Sequence, residues 1–192
     1  PEPEVSRAFL ADKAAAKRCF LEVGVPTPPY EVVDRRSLAR LAERFATPAV
    51  VKPIASGSSV DTTIARSSDA LTRAARDVVE RYGQALIERY IAGRELTVAI
   101  LADEALPVCE IRTQREFYDY QAKYIDDNTQ YLFDLDIPDD VLRRVQQLRV
   151  DAFAAYVDDV RRGRFPDPSR LVPIADGELA AFRSALGDRT GG

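Results

Sequence analysis

The chain has 192 residues, 46% of them hydrophobic, which is enough for one sizeable core or two small domains. Its net charge of -4 offers no positive field to hold a phosphate backbone, and this argues against a dedicated nucleic-acid binder. It has no histidine, which excludes Ser-His-Asp and Cys-His catalysis and His-ligated zinc, and no apolar run long enough to span a membrane.

Residues 12–23 read as a helix, with Asp12 as N-cap, Ala14 to Ala16 as strong helix formers and Gly24 as the stop. Pro26, Pro28 and Pro29 prevent its continuation, and Tyr30 to Val33 reads as a strand. Leu38, Leu41, Ala42 and Phe45 recur at the spacing of an amphipathic helix. Ala49 to Val51 is a short buried strand ended by Lys52-Pro53, followed by the small-residue loop 54–59 and a returning strand at Thr62 to Ala65. A second amphipathic helix carries Leu71, Ala74, Ala75, Val78, Val79 and Tyr82 on one face, with Ser68 as cap and Gly83 past the end.

Ala85 to Tyr90 and Glu95 to Leu101 read as strands, Asp103-Glu104 as a turn, and Leu106 to Ile111 as an antiparallel return. A polar loop then leads to a long helix marked by Val141, Leu142, Val145, Leu148 and Ala152. Beyond Tyr156 the composition shifts, and a short helix is expected near Glu178 to Leu186. Helices alternating with strands, some of them paired as hairpins, give a mixed α+β class. The two cysteines, Cys19 and Cys109, make no disulfide framework or metal spacing and fit reduced thiols in a cytosolic fold.

Three features bear on a nucleoside triphosphate. The loop Ser56-Gly57-Ser58-Ser59 follows a strand and can bring backbone N–H groups close to phosphate oxygens, although a surface turn is the commoner explanation of such a loop taken alone. Lys13, Lys52 and Lys123 stand at element ends, where a compact ammonium suits phosphate as a point charge; a solvated surface lysine explains each one singly. The segment Glu88-Arg89-Tyr90-Ile91-Ala92-Gly93-Arg94-Glu95 places carboxylates at two strand ends, able to accept from an adenine amine or ribose hydroxyls or simply to be solvated.

In order, the chain reads Asp12-Lys13 and Lys17, then Gly24-Val25-Pro26-Thr27-Pro28-Pro29-Tyr30, Val50-Val51-Lys52-Pro53 and Gly57-Ser58-Ser59-Val60. Ile87-Glu88-Arg89-Tyr90, Gly93-Arg94-Glu95-Leu96-Thr97 and Phe117-Tyr118-Asp119-Tyr120-Gln121-Ala122-Lys123-Tyr124 follow. This order resembles the D-alanine–D-alanine ligases of the ATP-grasp superfamily, over about residues 10–155. The resemblance implies two α+β subdomains enclosing a nucleotide cleft: an N-terminal helical segment at 1–29, a smaller subdomain at 30–85, part of the larger one at 86–156 and a divergent tail at 157–192. It implies that Lys13, Lys52 and Lys123 contact ATP phosphates, that Glu88, Arg89, Tyr90 and Ile91 hold the adenine, and that Glu95 binds the ribose. Ser58 and Ser59 would lie on the loop closing over the phosphates, with Ser58 and Tyr124 at the first D-alanine. The partners implied are ATP and D-alanine, with no nucleic acid or membrane, in a cytoplasmic protein able to form a homodimer.

The sequence departs from the family in places. Asp61 stands where the family loop commonly has Gly, so a carboxylate should repel ATP unless it points away or meets a cation. Ser56 replaces an acidic residue often found there. The segments expected to carry the magnesium ligands, and the family's N-terminal domain, are not in the sequence, so no metal residue is assigned. Residues 156–166 instead resemble the C-terminal tail of ketopantoate hydroxymethyltransferase. Three readings stand: an ATP-dependent D-alanine–D-alanine ligase or another ATP-grasp carboxylate–amine ligase; an ATP-binding module without ligase activity; and a remnant that binds nothing. The first would work through an acyl phosphate in peptidoglycan precursor synthesis. A fragment, fusion or altered gene product, inactive as a ligase alone, is the expectation.

Overall fold

A computed structural model describes residues 12–57, 59–101 and 104–163. The first helix, α1 (Lys13–Glu22), is capped as expected: Asp12 Oδ1 accepts from the Ala15 N–H at 2.8 Å. It ends at Gly24, whose φ of 74° suits glycine. Strand β1 (Tyr30–Asp34) leads to a 3-10 turn at Leu38–Arg40 and the short helix α2 (Leu41–Arg44). The continuous helix expected over 38–45 is therefore broken. Phe45 is already extended, with φ -117° and ψ 121°, because the chain must turn at once into β2 (Ala49–Pro53).

After β3 (Thr63–Ala65) comes α3 (Ser68–Tyr82). Its N-cap is Ser67, not Ser68: Ser67 Oγ accepts from the Ala70 N–H at 3.3 Å, while Ser68 is the first residue inside the helix. Strand β4 (Gln84–Arg89) follows Gly83 and completes an antiparallel four-stranded sheet in the order β1-β4-β2-β3. β4 is hydrogen-bonded on both sides, to β1 and β2, so a division before Leu86 falls inside a central strand rather than in a linker.

Strand alternation explains both faces of this sheet. Val33, Ala49, Val51, Ala85 and Ile87 pack against Leu71, Ala75, Val78 and Val79 of α3, with Leu41 closing the cluster. On the opposite face Leu86 and Ile54 pack with Ala14 of α1, flanked by Tyr30 and Val32. The register pairs Lys52 with Leu86 and Val50 with Glu88, so all four share that second face. The core thus dictates that Lys52 and Glu88 point away from α3 and toward α1.

Beyond β4 the described residues form two smaller sheets. β5 (Glu95–Thr97), β8 (Cys109–Arg112) and β9 (Gln130–Leu132) make a three-stranded sheet in the order β5-β8-β9, and β6 (Ile100–Leu101) pairs with β7 (Glu104–Ala105). The single strand expected over 95–101 is interrupted at Val98 and Ala99, and Leu106 to Val108 is not strand. Pro107 has no N–H to give a ladder, and the Leu106 N–H instead donates to the Ala99 carbonyl at 2.9 Å. The polar stretch read as loop contains β9 and the helix α4 (Tyr120–Tyr124), capped by Asp119 Oδ1, which accepts from the Ala122 N–H at 2.9 Å. The long helix α5 (Asp139–Arg161) starts after Pro138, continues past Tyr156 and packs on α1. The helix expected near Glu178 to Leu186 lies outside the described residues.

Candidate nucleotide site

A cleft of about 760 Å³ lies between the α1 face of the four-stranded sheet and the segment running from Glu95 to Lys123. Lys13, Lys52, Ser59, Glu88, Arg89, Tyr90, Ile91, Glu95 and Lys123, nine of the residues expected from the sequence, all line it. They come from α1, β2, the loop after it, β4 and its exit, β5 and α4, so folding brings together positions up to 110 apart in sequence (123 minus 13). Val50 and Ile64, opposite each other in β2 and β3, supply an apolar floor. A volume of this size is in the range of small-molecule sites.

The charges are arranged around Glu88. Its carboxylate is buried and clasped from two sides: Lys17 Nζ lies 2.7 Å from Oε1, and Lys52 Nζ pairs with Oε2. Burial alone would push this carboxyl up, but the two ammonium groups outweigh it and hold it below the usual range. Lys13 Nζ donates to the backbone carbonyls of Pro53 at 3.2 Å and Ile54 at 3.4 Å, and also to that of Ser56. It thereby ties the loop after β2 to α1. Burial, with the Lys52 charge nearby, lowers the Lys13 ammonium to about 8.

Across the cleft, Lys123 Nζ donates to Ser59 Oγ at 2.9 Å, and Ser59 Oγ donates to the Tyr118 carbonyl at 3.2 Å. Arg66, just after β3, forms an ion pair with Glu116. The small-residue loop is therefore held against the α4 segment, and lysines from three elements (α1, β2 and α4) surround one space. A Cβ added at Gly57 would meet nothing within 4 Å, so the loop is open to a ligand there. Such a constellation suits a polyanion with a flat polar ring at its end.

Two expected site residues are not placed in the cleft. Ser58 lies outside the described residues. Tyr124 follows Lys123 on α4 and so projects from a different side of the helix; it is 62% exposed, does not line the cleft, and packs on Tyr120 with ring centroids 4.9 Å apart. Asp61 takes one of the two outcomes that the sequence left open. Its Oδ2 accepts from Tyr82 Oη at 2.5 Å and from Arg81 Nη1 at 3.0 Å, so the charge that threatened to repel phosphate already meets a cation on α3. The sequence pattern includes Lys17 without implying a role for it. Its signal was the spacing: it stands one helical turn after Lys13, on the same face of α1.

Among the described residues no group of three or more Cys, Asp or Glu side chains could hold a metal ion. The expected magnesium finds no ligand set among them. No helix among those residues is long and apolar enough to cross a membrane.

Two facing α+β parts around a nucleotide-sized cleft make this an ATP-grasp fold. The family model described as D-ala D-ala ligase C-terminus matches residues 20–161, and the chain belongs to that family. It is 38% identical over 152 residues to the D-alanine–D-alanine ligase of Sphingopyxis alaskensis, covering 77% of this chain and 49% of that protein. It is 40% identical over 152 residues to that of Rhodospirillum rubrum, covering 79% and 50%. Among solved structures, the D-alanine–D-alanine ligase of Bacillus anthracis superposes with a TM-score of 0.62 at 31% identity, over 75% of this chain and 48% of that one. The same enzyme complexed with ATP gives a TM-score of 0.58 at 29% identity, over 75% and 47%. The chain spans about half the length of the curated relatives it matches.

Proposed function

We propose that this chain is the nucleotide-binding part of an ATP-dependent D-alanine–D-alanine ligase, acting in the cytoplasm in peptidoglycan precursor synthesis. The observation that carries the reading is the convergence of Lys13, Lys52 and Lys123 with the Glu88–Ile91 segment and Glu95 on one cleft. In this reading the three lysines and Ser59 hold the phosphates. The segment from Glu88 to Ile91 holds the adenine, and Glu95 holds the ribose hydroxyls.

ATP then phosphorylates the carboxylate of one D-alanine, and the amine of a second attacks the acyl phosphate, giving dipeptide, ADP and phosphate. Phosphoryl transfer asks the protein for positioning and charge neutralisation rather than for a side-chain nucleophile. The lysine cluster supplies the charge. The loop pinned by Lys13 and by the Ser59–Lys123 bond would keep water from the acyl phosphate. Ser58 and Tyr124 are proposed at the first D-alanine, on the family resemblance alone.

The test is an ATP titration of the wild type, Lys52→Ala and Lys123→Ala, with phosphate release and dipeptide followed in the presence of D-alanine. Loss of a hydrogen bond to a charged group predicts a cost on the order of 1.5–3 kcal/mol, or about 10- to 150-fold in affinity. Equal affinity in all three proteins would remove the assignment. ATP binding with neither phosphate release nor dipeptide is the outcome expected of a nucleotide-binding part alone, and dipeptide formation comparable to that of a full-length ligase would contradict it.

A further inference from the structure

We propose that Lys17 is a positioning residue for this cleft: it holds the Glu88 carboxylate from behind, so that Lys52 is free to leave Glu88 for an incoming nucleotide. The inference rests on the nucleotide reading above and adds a residue that does not itself line the cleft.

The two lysines on Glu88 are not equivalent. The Lys17 side chain is 7% exposed, and its ammonium is fully committed: to Glu88 Oε1 at 2.7 Å, to the Pro28 carbonyl at 3.1 Å and to Thr27 Oγ1. It also lies 5.0 Å from the centre of the Tyr30 ring. The Lys52 side chain is 22% exposed, lines the cleft and is paired with Oε2. An ammonium with three anchors (a carboxylate, a carbonyl and a hydroxyl) is fixed, whereas one facing the cleft can move to a new anion.

The energetics require the fixed partner. Glu88 is 7% exposed, and a carboxylate buried so deeply is strongly penalised when left without a counter-ion. If Lys52 alone neutralised Glu88, nucleotide phosphates could recruit Lys52 only by stranding that charge. With Lys17 on Oε1, the departure of Lys52 leaves Glu88 still paired and uncovers Oε2 on the cleft side. An uncovered carboxylate oxygen is an acceptor for the exocyclic amine of an adenine base, which a 6-oxo purine cannot offer. Lys17 therefore acts on both ends of the nucleotide through Glu88 without touching either.

The experiment is calorimetric titration of the full chain with ATP and with inosine triphosphate. The proteins are wild type, Lys17→Met, Lys17→Arg, Glu88→Gln and the Lys17→Met/Glu88→Gln double variant. Lys17→Met should lose about tenfold or more in ATP affinity and narrow the ATP preference to that of Glu88→Gln. Lys17→Arg should stay within about threefold of wild type. The double variant should bind no more weakly than Glu88→Gln, since residues acting through one another are not additive. Unchanged affinity and preference in Lys17→Met, or additive losses in the double variant, would overturn the inference while leaving the nucleotide reading intact. Failure of the wild type to bind ATP would overturn the nucleotide reading and this inference with it. Should Lys17→Met not fold, the ATP-bound structure of the wild type decides: Lys17 still on Glu88 with Lys52 withdrawn supports the proposal, and Lys52 still on Glu88 overturns it.

Discussion

The lowered Lys13 ammonium makes nucleotide binding a proton-linked event. Burial, with Lys52 nearby, brings this group down from 10.5 to about 8, and Glu88 offsets only part of that effect. A polyphosphate entering beside Lys13 adds negative charge and returns the group toward its ordinary value. At pH 7 the free site is already mostly protonated, so binding should take up only about 0.1 proton. At pH 8 the uptake should be about 0.5 and at pH 9 about 0.9, if the bound value returns to 10.5. The assay is ATP titration in buffers of different ionisation enthalpy, which reports the protons taken up at each pH. Lys13→Met is the control and should abolish the rise between pH 7 and pH 9. A wild-type uptake near zero at pH 9, or an unaltered uptake in Lys13→Met, would refute the reasoning. The same shift has a stability counterpart. Lys13 binds its proton less tightly folded than unfolded, so its charge opposes folding at and below pH 8, and that penalty fades as pH rises toward 10.5.

Two further outcomes follow from packing and backbone geometry. Leu71 is fully buried in the α3 face of the core, so Leu71→Ala should cost on the order of 2–5 kcal/mol in urea unfolding; a loss under about 1 kcal/mol would show that this core is not as packed as drawn. Asp61 sits at φ 51°, in the left-handed region, so Asp61→Gly relieves that strain while Asp61→Ala keeps it; both lose the Arg81 and Tyr82 contacts. The glycine variant should therefore be more stable than the alanine variant by about 1 kcal/mol, and the reverse order in urea unfolding would contradict the assignment.

Much of the fold was legible because its signals are local. The Asp12 cap, the apolar stripe of α3 and the Gly83 stop each depend on residues within a turn or two of one another. What was missed depends on longer-range contacts or on very short elements. β9 is three residues long and exists because β8 offers it a partner, and α4 is little more than one turn behind Asp119. The helix expected over 38–45 had the right periodicity, but the sheet took Phe45 into an extended conformation before a second turn could form. Periodicity shows which face of a segment is buried; it does not show how soon the chain must turn back.

The site shows the same division. Alternation in β2 and β4 places Lys52 and Glu88 on one face of the sheet, and the α1 spacing places Lys13 and Lys17 on one face of a helix. Neither pattern says that these two faces meet, which is why Glu88 could be assigned to the nucleotide while its pairing with Lys17 and Lys52 went unread. The two outcomes that the sequence leaves open for Asp61 turn on the same point. Sequence proximity set its carboxylate beside the phosphate loop, but Arg81 and Tyr82, twenty or so residues on, were the nearer claim on it. Around a polyanion site, the position of a charge in the sequence says little until its counter-ions are known. Here Lys17 is committed to Glu88 behind the cleft, while Lys13, Lys52 and Lys123 line it, Lys52 still paired with the same carboxylate.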